Sequence, residues 1–362
     1  MQSLFFSLLQ LSIGSGDRLS RHPLEEEWTE LYKMAVKQSL VGICFVGMRK
    51  YMETSAQSGD IPVVPKKIYF QWLGTAAQIQ QRNELMGQRC VELQSKLSLY
   101  GINSSILKGQ AVATYYGELR DFRQPGDIDV YVDCGREKAM EYARSIGQEH
   151  IDWDYKHLHL KIFTDADVEM HYRPEVLLNL QKNKRLQRWF RSEENQRQIF
   201  QNEGKLVAPS SELNLFYILL HIYRHFLYEG VGLRQLLDYY FVLKTASGEY
   251  RSKALQTIEK FGMKRFAKGI MWIMLNVFGL DEQFLLCESN EKEGRYILAQ
   301  VMAGGNFGHH DARLKTSKKL GKLGAFRKIL KHNFHLLTHY PSEVIWAPVW
   351  IVYHWVWKRV VR

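Results

Sequence analysis

The chain has 362 residues, enough for two or three domains, and its 46% hydrophobic and 24% charged residues are typical of a globular protein with a sizeable core. A net charge of +11 favours an anionic partner, such as a nucleotide, a nucleic acid or an acidic membrane surface, without choosing among them. The four cysteines are far apart and form no CxxC pair, which argues against a disulfide framework or a cysteine zinc site and favours a reducing cytoplasm.

Residues 1–100 are predicted to be helical. The apolar stretch Leu4 to Leu11 lacks a preceding basic residue and a small-residue cleavage site, so it is predicted to be the first buried helix and not a secretion signal. Apolar side chains recur at helical spacing from Glu25 to Met52 and again within 67–100. No stretch contains the roughly 18 uncharged apolar residues that span a bilayer, so a soluble, cytoplasmic protein is expected.

Residues 101–175 have the pattern of a small α/β unit. Ser104 to Leu107 is predicted to be a strand, and a turn and a short helix lead to a second strand at 127–132. Residues 156–163 alternate with period two, and a turn after them predicts that 168–171 returns antiparallel.

From about residue 176 onward every element is predicted to be helical. The predicted fold class is therefore α+β, with a small mixed sheet at 101–175 between helical regions at 1–100 and 176–362. The stretch 313–331 carries eight Lys or Arg and no acid, which fits nucleic-acid binding or, as we favour, a solvated basic surface. The aromatic helix at 344–357 fits a membrane interface or, preferably, a helix that completes the core of the helical domain.

Two carboxylates lie on one face of an otherwise apolar strand. Asp127 and Asp129 share this face because strand side chains alternate with period two, while Ile128 and Val130 point the other way. Such an oxygen-rich pair suits a hard divalent cation, although solvated acids on an edge strand give the same pattern.

A third carboxylate follows in the strand 168–171, where Glu169 and His171 share a face. If this strand lies beside the first with apolar faces matched, Glu169 comes alongside the aspartates. Three carboxylates on one face repel each other unless metal is bound. With Mg²⁺ they would support a two-metal, in-line displacement at phosphorus.

The turn Lys108-Gly109 precedes this carboxylate pattern. A glycine between a strand and a helix lets phosphate approach backbone N–H groups, where the helix dipole also favours an anion, and Lys108 adds a point charge. A Lys-Gly turn alone is common. A Lys-Gly turn that is followed by an Asp-x-Asp strand and then by a strand with a glutamate is a more specific pattern.

Three motifs in this order carry a resemblance: Leu-Lys-Gly at 107–109, Arg-x-x-Gly-Asp-Ile-Asp at 123–129 and Val-Glu-Met-His at 168–171. The chain resembles the nucleotidyltransferase superfamily of the polymerase-beta type, and more narrowly an uncharacterised bacterial family in which helical regions flank the catalytic core. The resemblance implies a short mixed sheet with helices on one side. The implied reaction transfers a nucleoside monophosphate from an NTP to an acceptor, which could be a protein, a small molecule or a sugar phosphate.

The resemblance also implies roles for single residues. Asp127, Asp129 and Glu169 would be the catalytic metal ligands for Mg²⁺ or Mn²⁺, and the turn Lys108-Gly109 would hold the triphosphate. The superfamily usually has Gly-Ser or Gly-Gly at this turn, and here a lysine stands before the glycine, where it could replace the serine hydroxyl electrostatically. This departure supports an alternative, a non-catalytic nucleotide-binding or regulatory module. A basic nucleic-acid-binding protein is a third hypothesis, not favoured.

Other polar residues have two interpretations each. Arg123 could contact phosphate or pair with a carboxylate, and Asp238 could contact the acceptor or form a helix cap or buried ion pair. His157, His159 and His171 could form a metal cluster, but carboxylates already supply ligands for a hard ion. His159 and His171 are therefore predicted to support the metal ligands or to line the acceptor site.

Overall fold

The structure, a computed structural model, describes residues 1–57, 64–305 and 336–360. The chain divides into two compact units that are each assembled from separate segments. The first comprises Met1–Leu85, Val112–Pro125 and Gly230–His310, and the second comprises Met86–Ala111, Gly126–Glu229 and Asp311–Arg362. The predicted division of the chain into the regions 1–100, 101–175 and 176–362 stays a prediction.

Helices make up most of the described chain. In chain order they are α1 Gln2–Ile13, α2 Glu25–Lys37, α3 Val41–Gln57, α4 Lys66–Leu99, α5 Gly109–Ala113, α6 Gly135–Ser145, α7 Leu180–Phe190, α8 Glu193–Ile199, α9 Ser211–Tyr228, α10 Leu233–Thr245, α11 Gly248–Lys260, α12 Lys264–Asn276, α13 Glu291–Gly304, α14 Pro341–Val344 and α15 Ala347–Val360. Two 3₁₀ segments are Thr114–Phe122 and Glu282–Phe284. The strands are β1 Ser104–Leu107, β2 Ile128–Val132, β3 His157–Leu160, β4 Val168–His171, β5 Gln201–Glu203 and β6 Leu206–Ala208.

In the first unit, α1 packs closely on α3. The side chains of Phe5 and Leu8 are fully buried, which confirms the predicted first buried helix. A Cβ atom at Gly47 would lie 2.6 Å from the carbonyl oxygen of Leu8, so only glycine permits this helix crossing.

The second unit contains a four-stranded sheet in the order β1-β2-β4-β3. Strands β2 and β4 are parallel, whereas the β1–β2 and β3–β4 pairs are antiparallel, as predicted for β3 and β4. One face packs Val130, Val132 and Met170 into a core that includes residues of α4 and α6. The mixed sheet with flanking helices confirms the α+β fold class.

The prediction that every element after residue 176 is helical is wrong at β5 and β6, which form an antiparallel hairpin. Gly204 turns between them with a φ of 67°. The side-chain amide of Gln94 donates to the carbonyl oxygen of Val207 at 2.9 Å and accepts from its N–H at 3.1 Å. Strands of three residues are too short to show a period-two pattern, so the sequence does not reveal β5 and β6, and they are identified by their pairing with each other in the structure.

The aromatic helix α15 packs in the second unit on residues that precede β3. The Trp357 ring lies 5.5 Å from that of Trp153 and 4.9 Å from that of Tyr155. The helix thus packs on the α/β portion, where Arg136 of α6 also contacts Trp357. Of its residues only Ala347 is buried, and Val352 and Trp355 are exposed, so the prediction that it completes the core of the helical domain is wrong. Among the described helices, none has both the length and the apolar character that a membrane crossing requires. The basic stretch at 313–331 lies outside the described residues.

Candidate active site

Strands β2 and β4 bring carboxylates side by side. In their parallel register Asp129 lies directly opposite Glu169, and Tyr131 lies opposite His171. The apolar residues between them point into the core, so the polar residues share the other face. The alignment expected from matched apolar faces is therefore found.

Asp129, Glu169 and His171 form a compact group in which one ligand atom from each lies within 4.8 Å of the others. His171 Nε2 lies 2.8 Å from Asp129 Oδ1 and 3.3 Å from Glu169 Oε2. The His171 side chain is fully buried, which fixes its ring between the two carboxylates. His171 is thus placed to contact both acids, and its predicted role, to support the metal ligands or to line the acceptor site, stays a prediction.

Lys108 supplies a cation to the same group. Its Nζ lies 2.7 Å from Asp129 Oδ1, and both side chains are almost fully buried. Lys108 follows β1 directly and has a φ of 50°, a left-handed conformation that is uncommon for a residue with a Cβ atom. The tight turn between β1 and α5 therefore directs the ammonium group to the carboxylates.

The electrostatics keep the central acids ionised. Burial alone would raise the pKa of Asp129, but Lys108 and His171 hold it well below its usual range. Burial also opposes ionisation of Glu169, yet the His171 contact lowers its pKa to about 2. For Lys108 burial is the largest influence and favours the neutral amine, but Asp129 together with further anionic neighbours, Glu175 and Glu169 among them, raises the pKa above its ordinary value.

Asp127 lies one position before β2 and is exposed. The negative charge of Asp129, followed by partial desolvation, raises the pKa of Asp127 to about 6. The turn at Gly109 lies nearby, because a Cβ atom there would be 3.7 Å from the carbonyl oxygen of Asp127. In the described chain Asp127 is outside the compact group of Asp129, Glu169 and His171.

A second group of potential ligands continues across the sheet to β3. His157, His159 and Glu169 each offer a ligand atom, and these atoms also lie within 4.8 Å of one another. Burial, and then the neighbouring His171, lower the pKa of His157 to about 4, so its imidazole is neutral near pH 7. His159 is exposed and lines a cavity of about 600 Å³ together with Arg144, Gln148, His150 and Lys161, among others.

Arg123 and Asp238 are paired with each other in the first unit. Arg123 Nε and Nη2 donate to the two carboxylate oxygens of Asp238 at 2.7 and 2.8 Å. The Tyr116 hydroxyl donates to Asp238 Oδ1 at 2.7 Å. Arg123 is 4% exposed and Asp238 6%, so this is a buried bidentate ion pair. The pairing favours the structural interpretation of both residues, and their predicted phosphate and acceptor contacts stay predictions.

A buried charge cluster around Glu175 is absent from the sequence-based predictions. This carboxylate is fully buried and lies 3.1 Å from His221 Nδ1, 3.5 Å from Arg224 Nε and 3.6 Å from Lys156 Nζ. Burial alone would raise the pKa of Glu175, but these partners hold it well below its usual range. The Glu175 charge also contributes to the raised pKa of Lys108. Glu175 follows a proline outside any periodic element, so no local signal marks it.

The carboxylate face is suited to a hard divalent ion. Asp129 and Glu169 offer oxygen atoms from neighbouring strands, and the pKa of each is lowered. Asp127 lies close enough for the charge of Asp129 to raise its pKa. A small mixed sheet with an Asp-x-Asp strand beside a carboxylate-bearing parallel strand is the arrangement expected of a nucleotidyltransferase core.

The comparison with protein families agrees with this class. A family profile described as uncharacterised nucleotidyltransferase matches residues 25–279, well over half of the chain, and the chain belongs to this family. Neither a curated protein nor a solved structure matches the chain.

Proposed function

We propose that the protein is a metal-dependent nucleotidyltransferase that transfers a nucleoside monophosphate from an NTP to an acceptor. The observation that carries the proposal is the alignment of Asp129 with Glu169 on parallel strands, next to a buried lysine. Membership of a nucleotidyltransferase family supports the reaction class.

Asp127, Asp129 and Glu169 would hold Mg²⁺ or Mn²⁺, which suit carboxylate oxygens and keep sites open for phosphate. When bound, the metal would supply charge stabilisation at the α-phosphate. His171 would keep Asp129 oriented through its 2.8 Å contact. Residues that orient a metal ligand through a hydrogen bond typically increase the affinity of the site for its metal.

The turn Lys108-Gly109 would bind the triphosphate. We assign the main contribution to the Lys108 ammonium, because α5 has only five residues and offers a small helix dipole. An oxygen of the acceptor forms a bond to the α-phosphorus, and the bond to the departing pyrophosphate breaks. Most of the rate would come from alignment and electrostatic stabilisation.

The test is incubation of the purified protein with each radiolabelled NTP, Mg²⁺ or Mn²⁺, and cell extract. Label transfer that is lost in Asp129→Asn and retained in Glu141→Gln is expected, because Glu141 is exposed on α6. Mass spectrometry of the labelled species would then identify the acceptor. Absence of transfer with every NTP, together with nucleotide binding that ignores Asp129→Asn, would refute the proposal.

One observation favours a second function, a non-catalytic nucleotide-binding module. Lys108 already neutralises Asp129, so the carboxylate has a cation without any metal. Such a module would bind nucleotide without Mg²⁺ and would tolerate Asp129→Asn. Calorimetric titration of nucleotide with and without Mg²⁺ separates the two functions.

A further inference from the structure

The sheet carries a second set of ligands, of which the proposed transfer reaction uses only Glu169. We propose that His157, His159 and Glu169 form a second site, adjacent to the first, for a transition-metal ion such as Zn²⁺. Their ligand atoms lie within 4.8 Å of one another, which is close enough to surround one ion.

The strand register creates this site. In the antiparallel β3–β4 pair, His159 lies directly opposite Glu169, and His157 lies opposite His171. The two β3 histidines are two residues apart and therefore project from the same face. Their rings are nearly perpendicular at 85°, with centroids 5.0 Å apart. Backbone pairing thus holds the three groups together without a ligand.

The site also contains a buried nitrogen atom that makes no hydrogen bond in the described part of the chain. His157 Nδ1 is buried and makes no hydrogen bond within the described part of the chain, although Glu169 Oε2 lies 3.4 Å away. A buried polar atom without a partner is costly, and native proteins rarely retain one without a reason. Coordination to a metal would use this nitrogen and the nearby carboxylate oxygen together.

The ligand types separate this site from the Asp127 and Asp129 carboxylates. Two imidazoles and one carboxylate form a ligand set typical of Zn²⁺ sites that keep a position open, whereas Mg²⁺ prefers oxygen atoms alone. His159 is exposed and lines the cavity of about 600 Å³, so an ion can enter from solvent. The open position would be available to water or to an anionic group.

Glu169 belongs to both groups of ligands. Zn²⁺ bound at the histidine site would therefore change the affinity of the carboxylates for Mg²⁺. Bound Mg²⁺ must change the affinity of the histidine site for Zn²⁺ by the same factor. The histidine site itself does not depend on the proposed transferase activity.

The experiment uses the untagged full-length chain and two probes: Zn²⁺ by calorimetry and Co²⁺ by its visible absorption. We expect one Zn²⁺ per chain and Co²⁺ bands characteristic of nitrogen and oxygen ligands. His159→Gln should weaken Zn²⁺ binding by more than about 100-fold, beyond the loss that follows removal of an outer-shell partner. His150→Gln is the matched control, since His150 is exposed on the same cavity and should leave binding unchanged.

Two further variants separate this site from the proposed active site. Asp129→Asn should abolish Mg²⁺-dependent nucleotide binding and retain the Co²⁺ bands. His159→Gln should lose the Co²⁺ bands and retain Mg²⁺-dependent nucleotide binding. Glu169→Gln should impair both. Because His159 is exposed, its substitution should not prevent folding. Wild-type Zn²⁺ affinity in His159→Gln, or loss of the Co²⁺ bands in Asp129→Asn, would overturn the proposal.

Discussion

Replacement of Lys108 by Met tests how the Asp129 carboxylate is stabilised. Met keeps the apolar stem of the side chain and removes the ammonium group 2.7 Å from Asp129 Oδ1. Loss of one partner of a buried ion pair costs about 3–5 kcal/mol, because a charge is left uncompensated. Asp129 keeps its 2.8 Å contact with His171, so we expect the lower end, about 3 kcal/mol in the free energy of unfolding.

Added Mg²⁺ should reverse most of this loss. A ligand that binds only the folded state at 100 times its dissociation constant adds about 2.7 kcal/mol of stability. In Lys108→Met the ion would meet Asp129 without a competing ammonium group. In the wild-type protein it must compete with Lys108, so the Mg²⁺-dependent gain in stability should be smaller.

Urea denaturation followed by tryptophan fluorescence, with and without Mg²⁺, measures both effects. Lys184→Met is the control, because Lys184 is exposed on α7 of the same unit. Combination with Asp129→Asn should remove most of the cost of Lys108→Met. A loss in Lys108→Met no larger than in the control, or an equal Mg²⁺ effect in wild type and variant, would refute the reasoning.

Three further predictions concern other charges. Arg123→Met should lower the free energy of unfolding by about 3–5 kcal/mol, since Asp238 would remain buried without the Arg123 cation, and nucleotide affinity of the folded protein measured by calorimetry should not change. Glu175→Gln should cost a similar amount, about 3–5 kcal/mol by urea denaturation, because the fully buried Glu175 compensates several cations. The affinity for Mg²⁺ should fall as the pH is lowered through about 6, because Asp127 gains a proton there. Asp129→Asn should lower the pKa of Asp127, as measured by carboxyl NMR, because it removes the charge that raises this pKa. An affinity for Mg²⁺ that is flat between pH 5 and 7, the range around the Asp127 pKa of about 6, would contradict this assignment.

Local patterns predicted the central geometry of the site. The alternation of apolar and acidic residues determined which face Asp129 and Glu169 occupy, and matching of the apolar faces brought them together in the structure. The antiparallel return of β4 along β3 followed from the turn between them.

Long-range contacts could not be predicted in this way. The position of β1 beside β2, and hence of Lys108 against Asp129, depends on strand order, which alternation does not determine. Likewise the sequence allowed a carboxylate partner for Arg123, but only the packing of the first unit identifies Asp238. The hairpin of β5 and β6 was missed because its strands are shorter than the patterns that identify strands.

The left-handed backbone at Lys108 has an energetic cost that bears on how strongly this site depends on a metal ion. A side chain with a Cβ atom costs about 1–2 kcal/mol more than glycine in this conformation, so glycine would give the more relaxed turn. A lineage that replaced Lys108 by Gly would gain a relaxed turn and lose its permanent cation. Such a protein would keep only His171 of these two partners beside Asp129 and would depend more on a metal ion to stabilise that buried charge, whereas the present chain has both partners before any metal arrives.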